Sequence, residues 1–334
     1  MSESSFHAPV SLPEEFSAAC PATTLVTIYH VLSDEKQRRA AQEQLDAAVE
    51  IVTKSLSAVS CNWQEHPTAP HEHWVAHRFW VGTTEKVNTK ELLTLLETAL
   101  SGQQASNLRI AVVSSEHITA ERRMLIMDVD STLINEEVIE QLAAHAGKEA
   151  EVAAVTEAAM RGELDFEESL HARCLTLAGL PLGVIEDVQQ NRVSLTPGAT
   201  ELVRSYQDRG WPVCVVSGGF VQVLKPIAEA LELDRYEANV LETERDRNGE
   251  QLTGRVIGDV VGRATKAKML QQWAEEFNIS PTHVMAIGDG ANDLDMLAAA
   301  GLGVAFCAKP ALKEAADVVL RDRRLDLAAL VTGL

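Results

Sequence analysis

Three short apolar runs, each followed at once by polar side chains, constrain the fold of this chain more than any other feature. The runs are Met124-Leu125-Ile126-Met127, Val213-Cys214-Val215-Val216 and Val284-Met285-Ala286-Ile287. The segments that follow them are Asp128-Val129-Asp130-Ser131-Thr132, Ser217-Gly218-Gly219 and Gly288-Asp289-Gly290-Ala291-Asn292-Asp293. Such runs are typical of buried parallel strands, and open α/β sheets bind ligands at the carboxyl ends of their strands. The sequence therefore predicts a Rossmann-like parallel sheet with one polar edge.

The two carboxylates that follow the first run indicate a chemistry. Asp128 and Asp130 stand one residue apart, and the hydroxyls of Ser131 and Thr132 come next. One carboxylate can attack phosphorus, the other can transfer a proton, and a Mg²⁺ ion can offset their repulsion. The same residues would also suit a helix cap with incidental acids. Taken alone, the motif favours phosphoryl transfer and leaves the cap as an alternative.

The order of the polar segments along the chain resembles the haloacid dehalogenase superfamily of phosphatases. Asp128 and Asp130 come first, Ser217 and Lys266 follow, and residues 288–293 come last. Further segments resemble the phosphoserine phosphatase family within that superfamily, namely Glu137, residues 162–170 with Arg173, residues 216–220 and residues 305–310. The resemblance covers residues 122–330 and implies a haloacid dehalogenase fold, in which a helical cap is inserted after the first strand.

The resemblance implies roles for four acids. Asp128 would be the nucleophile that forms an aspartyl-phosphate, and Asp130 would protonate the leaving group and then activate water. Mg²⁺ would be held by Asp128, by Asp289 and by the backbone carbonyl of Asp130. Asp293 would orient the groups around the metal, although a first-turn acid that complements a helix dipole is its alternative.

By the same resemblance, a second set of residues would bind the substrate. The set comprises Ser217, Gly218, Lys266 and Asn292 for the phosphate, and Glu137, Phe166 and Arg173 for the remainder. Phe166 and Arg173 are seven positions apart on a predicted helix, so they point the same way. A Glu and an Arg that face one small pocket suit a zwitterionic amino acid.

Each of these assignments has an ordinary alternative. Phe166 could belong to a core, and Arg173 could be a solvated surface residue. Lys266 could be solvated as well, with Lys268 as the nearby competitor for its role. Asn292 could simply cap a helix.

The function implied is the Mg²⁺-dependent hydrolysis of O-phospho-L-serine to L-serine and phosphate, the last step of L-serine biosynthesis. A phosphatase or phosphotransferase that acts on another small phosphorylated amino acid is one alternative. A non-catalytic amino-acid-sensing regulator is the other, and it is disfavoured because every catalytic position is filled. Phosphate release with and without Mg²⁺ separates the enzyme from the regulator.

The chain ahead of the phosphatase-like part has its own pattern. Residues 1–20 predict a flexible arm, and residues 21–115 predict the order βαββαβ of a ferredoxin-like domain, which resembles an ACT-type regulatory domain at this position. The predicted elements are a strand at 23–31, a helix at 34–56, strands at 58–63 and 73–81, a helix at 90–100 and a strand at 108–114. A polar linker at 116–123 would lead into a phosphatase domain at 122–334, with a cap at 135–193 and a β-hairpin that turns at Asn248-Gly249.

Three expectations concern partners of the N-terminal domain. A serine or other amino-acid effector is implied by resemblance, but the segment Val31-Leu32-Ser33-Asp34-Glu35 lacks the glycine that usually follows the first ACT strand. An uncovered sheet edge predicts a homodimer. The histidines His66, His71, His73 and His77 lack a completing Cys or acid, so they are predicted to belong to a polar hairpin and not to a metal site.

Composition bounds the remaining partners. The net charge of −20 argues against nucleic acid and anionic membranes, and no apolar run approaches the ~18 residues of a membrane span. The five cysteines, which are Cys20, Cys61, Cys174, Cys214 and Cys307, are widely spaced and show no CxxC. The last three lie in apolar patterns, so they are predicted to be reduced core residues, which favours a cytoplasmic location. A phosphorylated substrate is itself an anion, so Mg²⁺ and the cationic side chains must outweigh the global charge at the site.

Overall fold

The computed structural model describes residues 22–58, 62–66, 70–83, 88–102, 107–160, 165–246 and 249–334, together with positions 12, 13, 16 and 68. Cys20, Cys61, Gly162 and Asn248 lie outside them, so what was predicted for these four residues stays a prediction. Of the predicted arm only three positions are described, and one of them, Phe16, is buried. None of the helices in the described part of the chain combines the length and the apolar character needed to cross a membrane.

A four-stranded antiparallel sheet comes first in the chain. Its elements are β1 (Ala22–Val31), α1 (Arg38–Ala58), β2 (Asn62–His66), β3 (Trp74–Thr83), α2 (Thr89–Leu100) and β4 (Leu108–Ser114), with a 3₁₀ turn at Glu35–Gln37. The strand order β2-β3-β1-β4 confirms the predicted ferredoxin-like fold. The second strand was predicted at 58–63 but lies at Asn62–His66, and the helix before it continues to Ala58 instead of ending at 56. The buried stripe of Leu45, Val52 and Leu56 keeps the last turns of α1 helical.

The predicted polar linker is not a solvated tether. It begins with a short helix, α3 (Ser115–Ile118), and Arg123 is only 1% exposed. The Arg123 guanidinium donates to the carbonyls of Ile118 and Thr332 and lies 4.8 Å from the ring centre of Trp211. The guanidinium is therefore buried, and its hydrogen bonds connect the linker to Thr332 near the end of the chain.

A seven-stranded sheet forms the centre of the remaining chain. Its strands are β5 (Met124–Met127), β6 (Val213–Phe220), β7 (Arg235–Asp246), β8 (Gly249–Ile257), β9 (Val284–Gly288), β10 (Leu302–Phe306) and β11 (Val318–Leu320). They lie in the order β11-β10-β9-β5-β6-β7-β8, and every pair is parallel except the β7–β8 hairpin. The predicted Rossmann-like sheet is confirmed, with β5 at its centre.

Four helices between β5 and β6 form the predicted cap. They are α4 (Val138–Ala146), α5 (Glu149–Met160), α6 (Phe166–Leu175) and α7 (Gly183–Asn191). A capping box of Asp165 and Glu168 opens α6. The cap is joined to the hairpin by main-chain hydrogen bonds, in which Gly179 donates to Leu252 at 2.8 Å and Leu182 donates to Glu250 at 3.0 Å.

Both faces of the central sheet are covered. The remaining helices are α8 (Ala199–Gln207), α9 (Val221–Ala230), α10 (Arg263–Glu276), α11 (Leu294–Ala299), α12 (Pro310–Ala315) and α13 (Asp326–Val331), with 3₁₀ turns at Pro281–His283 and Ala291–Asp293. Met124 and Ile126 of β5 pack with α10 to α12, and Leu125 and Met127 pack with α8, α9 and α13. The same core takes in Tyr29 and other side chains of the N-terminal sheet, which therefore packs directly on the C-terminal part.

Candidate active site

The carboxyl ends of β5, β6 and β9 meet at one edge of the central sheet, as predicted. The backbone N–H of Asp128 donates to the carbonyl of Ile287 at 2.9 Å, which fixes the first strand end against the third. The chain then turns sharply, and Ser131 adopts a φ of 57°. A non-glycine residue with positive φ costs free energy and often marks a functional turn. The turn brings both carboxylates of the first motif to this edge.

Asp128, Lys266 and Asp293 form a buried charge cluster. The Nζ of Lys266 lies 2.7 Å from Oδ1 of Asp128 and 2.7 Å from Oδ1 of Asp293, and both Lys266 and Asp293 are 0% exposed. Oδ2 of Asp293 accepts from the N–H groups of Asp289 and Gly290, at 3.2 Å and 3.1 Å. Lys266 is therefore not a solvated lysine, whereas Lys268 is exposed.

The carboxylates of Asp128, Asp289 and Asp293 have oxygens that all lie within 4.8 Å of one another. Burial raises the pKa of Asp128 well above its usual range, and the charge of Asp293 adds to this effect. Burial and Asp293 also raise the pKa of Asp289 to about 6. Lys266 pairs with two of these three carboxylates, so negative charge is in excess within the cluster. A divalent cation would relieve this excess of negative charge, and hard oxygen ligands suit Mg²⁺.

The residues present therefore fit a divalent metal at Asp128 and Asp289. Asp293 already uses one oxygen on Lys266 and the other on two backbone N–H groups, which suits an orienting role. Within the described part of the chain, Asp130 does not contribute a carboxylate to the cluster. Its backbone carbonyl was the predicted ligand, and that stays a prediction.

Asp130 is held from two sides. Its Oδ1 accepts from the backbone N–H of Val138 at 2.8 Å, and its Oδ2 accepts from the hydroxyl of Ser217 at 2.8 Å. Burial and the nearby charge of Glu137 raise the pKa of Asp130 to about 6. A carboxyl group with such a pKa can both donate and accept a proton near neutral pH.

Glu137 lies at the start of α4 and is held by the strained turn. Its Oε1 accepts from the hydroxyl of Ser131 at 2.8 Å. The positive φ of Ser131 therefore aims the hydroxyl at Glu137, which borders the cavity beside Asp130. Sequence reasoning found Ser131 as part of the motif but did not find this contact, because the two residues meet only through the turn.

The glycines after β6 allow close packing at the site. A Cβ atom added at Gly219 would lie 2.4 Å from Oδ2 of Asp130, so no other residue fits there without rearrangement. The Gly219 N–H donates to the Ser217 hydroxyl at 2.7 Å. Ser217 is 1% exposed and its single O–H is directed at Asp130. Its predicted contact with a phosphate stays a prediction.

A cavity of about 190 Å³ connects these residues with the cap. Ten of its lining residues are polar or glycine, namely Asp128, Asp130, Glu137, Arg173, Gly218, Gly219, Asp289, Gly290, Asn292 and Lys309. Phe166 and Arg173 of α6 line it from the cap side, as predicted from their spacing. The Nδ2 of Asn292 lies 3.5 Å from Oδ2 of Asp128, so Asn292 faces the first strand end. Ser217, Lys266 and Asp293 lie behind this surface.

Several lining residues had been given no predicted role. Ile139, Leu170 and Phe220 supply apolar wall, and Lys309 supplies a second cation at the rim. The N–H of Lys309 donates to the carbonyl of Asp289 at 3.0 Å, which places Lys309 beside the carboxylate cluster. The only signal in the sequence was its place in residues 305–310, a segment of the resemblance to which no role had been given.

Comparisons with known proteins agree with this geometry. A family model described as a haloacid dehalogenase-like hydrolase matches residues 123–301, more than half of the chain. A phosphoserine phosphatase from Streptomyces coelicolor is 51% identical over 240 residues, which cover 72% of this chain and 57% of the relative. The match thus spans little more than half of that relative's length.

Two solved structures are similar as well. One, a phospho-aspartyl intermediate analogue of phosphoserine phosphatase, is 41% identical with a TM-score of 0.57, and the match covers 63% of this chain and 98% of the other. The other, a probable phosphoserine phosphatase from Vibrio cholerae in unliganded form, is 30% identical with a TM-score of 0.65, over 92% of this chain and 86% of that one. This chain belongs to the haloacid dehalogenase-like hydrolases.

Proposed function

We propose that this protein is a Mg²⁺-dependent phosphatase that hydrolyses O-phospho-L-serine to L-serine and phosphate. The observation that carries the proposal is the meeting of four charged groups in one small cavity. Asp128 and Asp130 lie at its sheet side, and Glu137 and Arg173 border it as well. The first pair suits phosphoryl transfer, and the second pair suits an ammonium and a carboxylate. The similarity to phosphoserine phosphatases supports the same substrate.

In the first half of the reaction, Asp128 attacks phosphorus. Its Oδ1 is occupied by Lys266 and by the N–H of Val129 at 2.7 Å, which leaves Oδ2 as the nucleophilic oxygen. A bond forms from Oδ2 to phosphorus, and the bond from phosphorus to the serine oxygen breaks. Asp130 donates its proton to that departing oxygen, so L-serine leaves as a neutral alcohol.

In the second half, a water molecule attacks the aspartyl-phosphate on Asp128. Asp130, now a carboxylate, takes a proton from the water. The bond between phosphorus and the Asp128 oxygen breaks, and inorganic phosphate is released. One carboxyl group thus serves both halves, and a pKa of about 6 places it between the two states.

The residues that would hold Mg²⁺ are Asp128 and Asp289, with the backbone carbonyl of Asp130. The ion would supply positive charge against the phosphoryl oxygens. Asp293 would keep Asp289 and Lys266 in place through its three hydrogen bonds. Lys266 would add a fixed positive charge beside Asp128, because the two carboxylates around it raise its pKa despite its burial.

Further parts of the proposal concern partners and location. The homodimer is supported by the position of β2 at an outer edge of the N-terminal sheet. The serine effector is supported only by the resemblance to an ACT-type domain. The cytoplasmic location is supported by the free thiols of Cys174, Cys214 and Cys307. Sedimentation and serine inhibition of the purified protein test the first two points.

The test of the main proposal is phosphate release from a substrate panel, with added Mg²⁺ and with a chelator. Phosphoserine should give the highest kcat/KM, ahead of phosphothreonine and phosphohomoserine, and the chelator should abolish turnover. A preference for phosphohomoserine would favour the related-phosphatase alternative. Absence of Mg²⁺-dependent release from every member of the panel would favour the non-catalytic regulator.

A further inference from the structure

Asn239 lies on β7 behind the cavity and bridges two segments that border the cap. Its side chain is buried. Its Nδ2 donates to the carbonyl of Gly218 at 2.8 Å, and its Oδ1 accepts from the N–H of Val261 at 2.8 Å. The carboxamide donates to one segment and accepts from the other, so it fixes the distance between the two segments.

Both segments contact the ring of Phe166, which is otherwise 39% exposed. A Cβ atom added at Gly218 would lie 3.3 Å from Cζ of Phe166, and one added at Gly262 would lie 3.3 Å from its Cδ1. Both distances are shorter than ordinary van der Waals contact, so the ring occupies the space that side chains would need. We call Gly218 and Gly262 the glycine slot. Phe166 is the first residue of α6, so the slot receives the cap.

We propose that Asn239 is a positioning residue that sets the width of the glycine slot and thereby fixes the cap over the substrate. Its effect on kinetics rests on the proposed function. Phe166 and Arg173 lie on the same helix, so a ring that leaves the slot displaces the guanidinium as well. A displacement of about 1 Å at a reacting or binding group can reduce a rate by about 10²-fold.

Gln222 offers a matched control. Its Nε2 donates to the carbonyl of Leu241 at 2.7 Å, and its Oε1 accepts from the N–H of Leu241 at 3.2 Å. Gln222 lies on α9, and its carboxamide pairs with the backbone of one β7 residue in the same donor-and-acceptor manner, without joining two segments at the cap. Gln222 does not line the cavity. A general loss of backbone support should affect the two residues alike, whereas a loss of cap positioning should affect only Asn239.

The kinetic test compares Asn239→Leu, Gln222→Leu and Phe166→Ala, alone and combined. We expect Asn239→Leu to lower kcat/KM for phosphoserine by about tenfold or more, and Gln222→Leu to lower it by less than about threefold. In the Phe166→Ala background, Asn239→Leu should lower kcat/KM for phosphoserine by less than about threefold, because the glycine slot then has no ring to hold. An equal loss in both backgrounds would overturn the proposal, and so would an equal loss from Gln222→Leu.

A second readout does not depend on activity. Hydrogen exchange of the peptide that covers residues 166–175 should be faster in Asn239→Leu, by about tenfold, and unchanged in Gln222→Leu. Gly262→Val should have the same effect as Asn239→Leu while it leaves both hydrogen bonds of Asn239 in place, so it serves if Asn239→Leu does not fold. Unchanged exchange in Gly262→Val would overturn the proposal. If the wild-type protein did not hydrolyse phosphoserine, the proposed function would fail, and the exchange comparison would still decide this inference.

Discussion

The two sheets of this protein place their charged side chains in opposite ways. In the N-terminal part, the ion pairs of α1 lie on the surface. Arg39 and Glu43 are 3.1 Å apart, and their side chains are 92% and 67% exposed. At the edge of the central sheet, Lys266 and Asp293 pair at 2.7 Å and are fully buried. Surface pairs contribute about 0–1 kcal/mol, whereas each buried ion costs several kcal/mol to desolvate.

The difference indicates which part of the molecule performs the chemistry. A fold keeps a buried excess of carboxylates only where something offsets their repulsion, and a bound cation and an anionic substrate would do so here. In the described part of the N-terminal sheet, the buried polar residues are mainly threonines, such as Thr24 and Thr27, together with His30. The N-terminal sheet nevertheless shares its core with the C-terminal part. It therefore contributes to the stability of the protein, although it contributes no reacting groups.

The largest effect is expected from the buried carboxylate that would attack phosphorus. Asp128→Asn should abolish turnover of phosphoserine, by more than about 10³-fold, because an amide oxygen is not a competent nucleophile. Asp295→Asn is the control, since Asp295 lies two positions from Asp293 but pairs with Arg263 at the surface. Steady-state kinetics and circular dichroism check both variants. Retention of one-tenth of the wild-type kcat in Asp128→Asn would remove Asp128 as the nucleophile.

The next effect concerns Asp130. Asp130→Asn should slow phosphoserine hydrolysis by about 10²–10⁴-fold, because the departing serine oxygen needs a proton. p-Nitrophenyl phosphate has a good leaving group, so its kcat/KM should fall by a smaller factor. The ratio of kcat/KM for the two substrates measures the difference. If both substrates lost the same factor, Asp130 would not act as the general acid.

A smaller loss of activity, specific to phosphoserine, is expected when Glu137 or Arg173 is replaced. Glu137→Gln and Arg173→Ala should each lower kcat/KM for phosphoserine by about 10–10²-fold, because a buried charge-assisted hydrogen bond is lost. p-Nitrophenyl phosphate lacks the ammonium and the carboxylate, so it should lose less than about threefold. Arg192→Ala is the control, since Arg192 follows α7 and is half-exposed beside Asp187. Equal losses for both substrates would contradict the zwitterion pocket.

The pH profile sharpens the same comparison. Asp130 must be protonated to serve as an acid, so kcat/KM should fall as the pH rises through its pKa, which is about 6 before substrate and metal bind. Glu137 raises that pKa, so Glu137→Gln should move the decline to lower pH. Titration of the phosphoserine phosphate is common to both proteins and cancels in the comparison. Superimposable declines would show that Glu137 does not tune Asp130.

The smallest effect on chemistry is expected from removal of the N-terminal part. A truncated protein that begins near Glu121 should keep Mg²⁺-dependent phosphoserine hydrolysis, because every proposed reacting group lies at or beyond Asp128. It should be less stable, because the apolar surface that meets Tyr29 and Trp80 is uncovered. Its response to serine should be lost. Inactivity of a folded, soluble truncated protein would mean that the N-terminal part contributes to the site.

A milder variant covers the case in which the truncated protein aggregates. Leu45→Ala removes a fully buried side chain from α1 in the full-length chain, at a cost of about 2–5 kcal/mol. Thermal unfolding should report this loss, while kcat/KM at low temperature should stay within about twofold of the wild type.

The sequence by itself determined the central sheet and the identity of the acids at its edge. Apolar runs that end in Asp128, Ser217 and Asp289 are local signals, because a strand buried on both faces must be apolar and its polar successors must emerge at its end. The spacing of Phe166 and Arg173 was equally local, since a helix repeats every 3.6 residues. Such periodicities need no knowledge of distant contacts.

Only the tertiary structure decided which of these groups are buried and what they contact. Lys309 reaches the cavity through a main-chain bond to Asp289, and Asn239 holds Gly218 across two strands. Arg123 looked like a linker residue, yet it is 1% exposed and contacts the far end of the chain. Each of these contacts joins residues that are far apart in sequence. No local pattern encodes them, because burial and pairing depend on what the rest of the fold brings alongside.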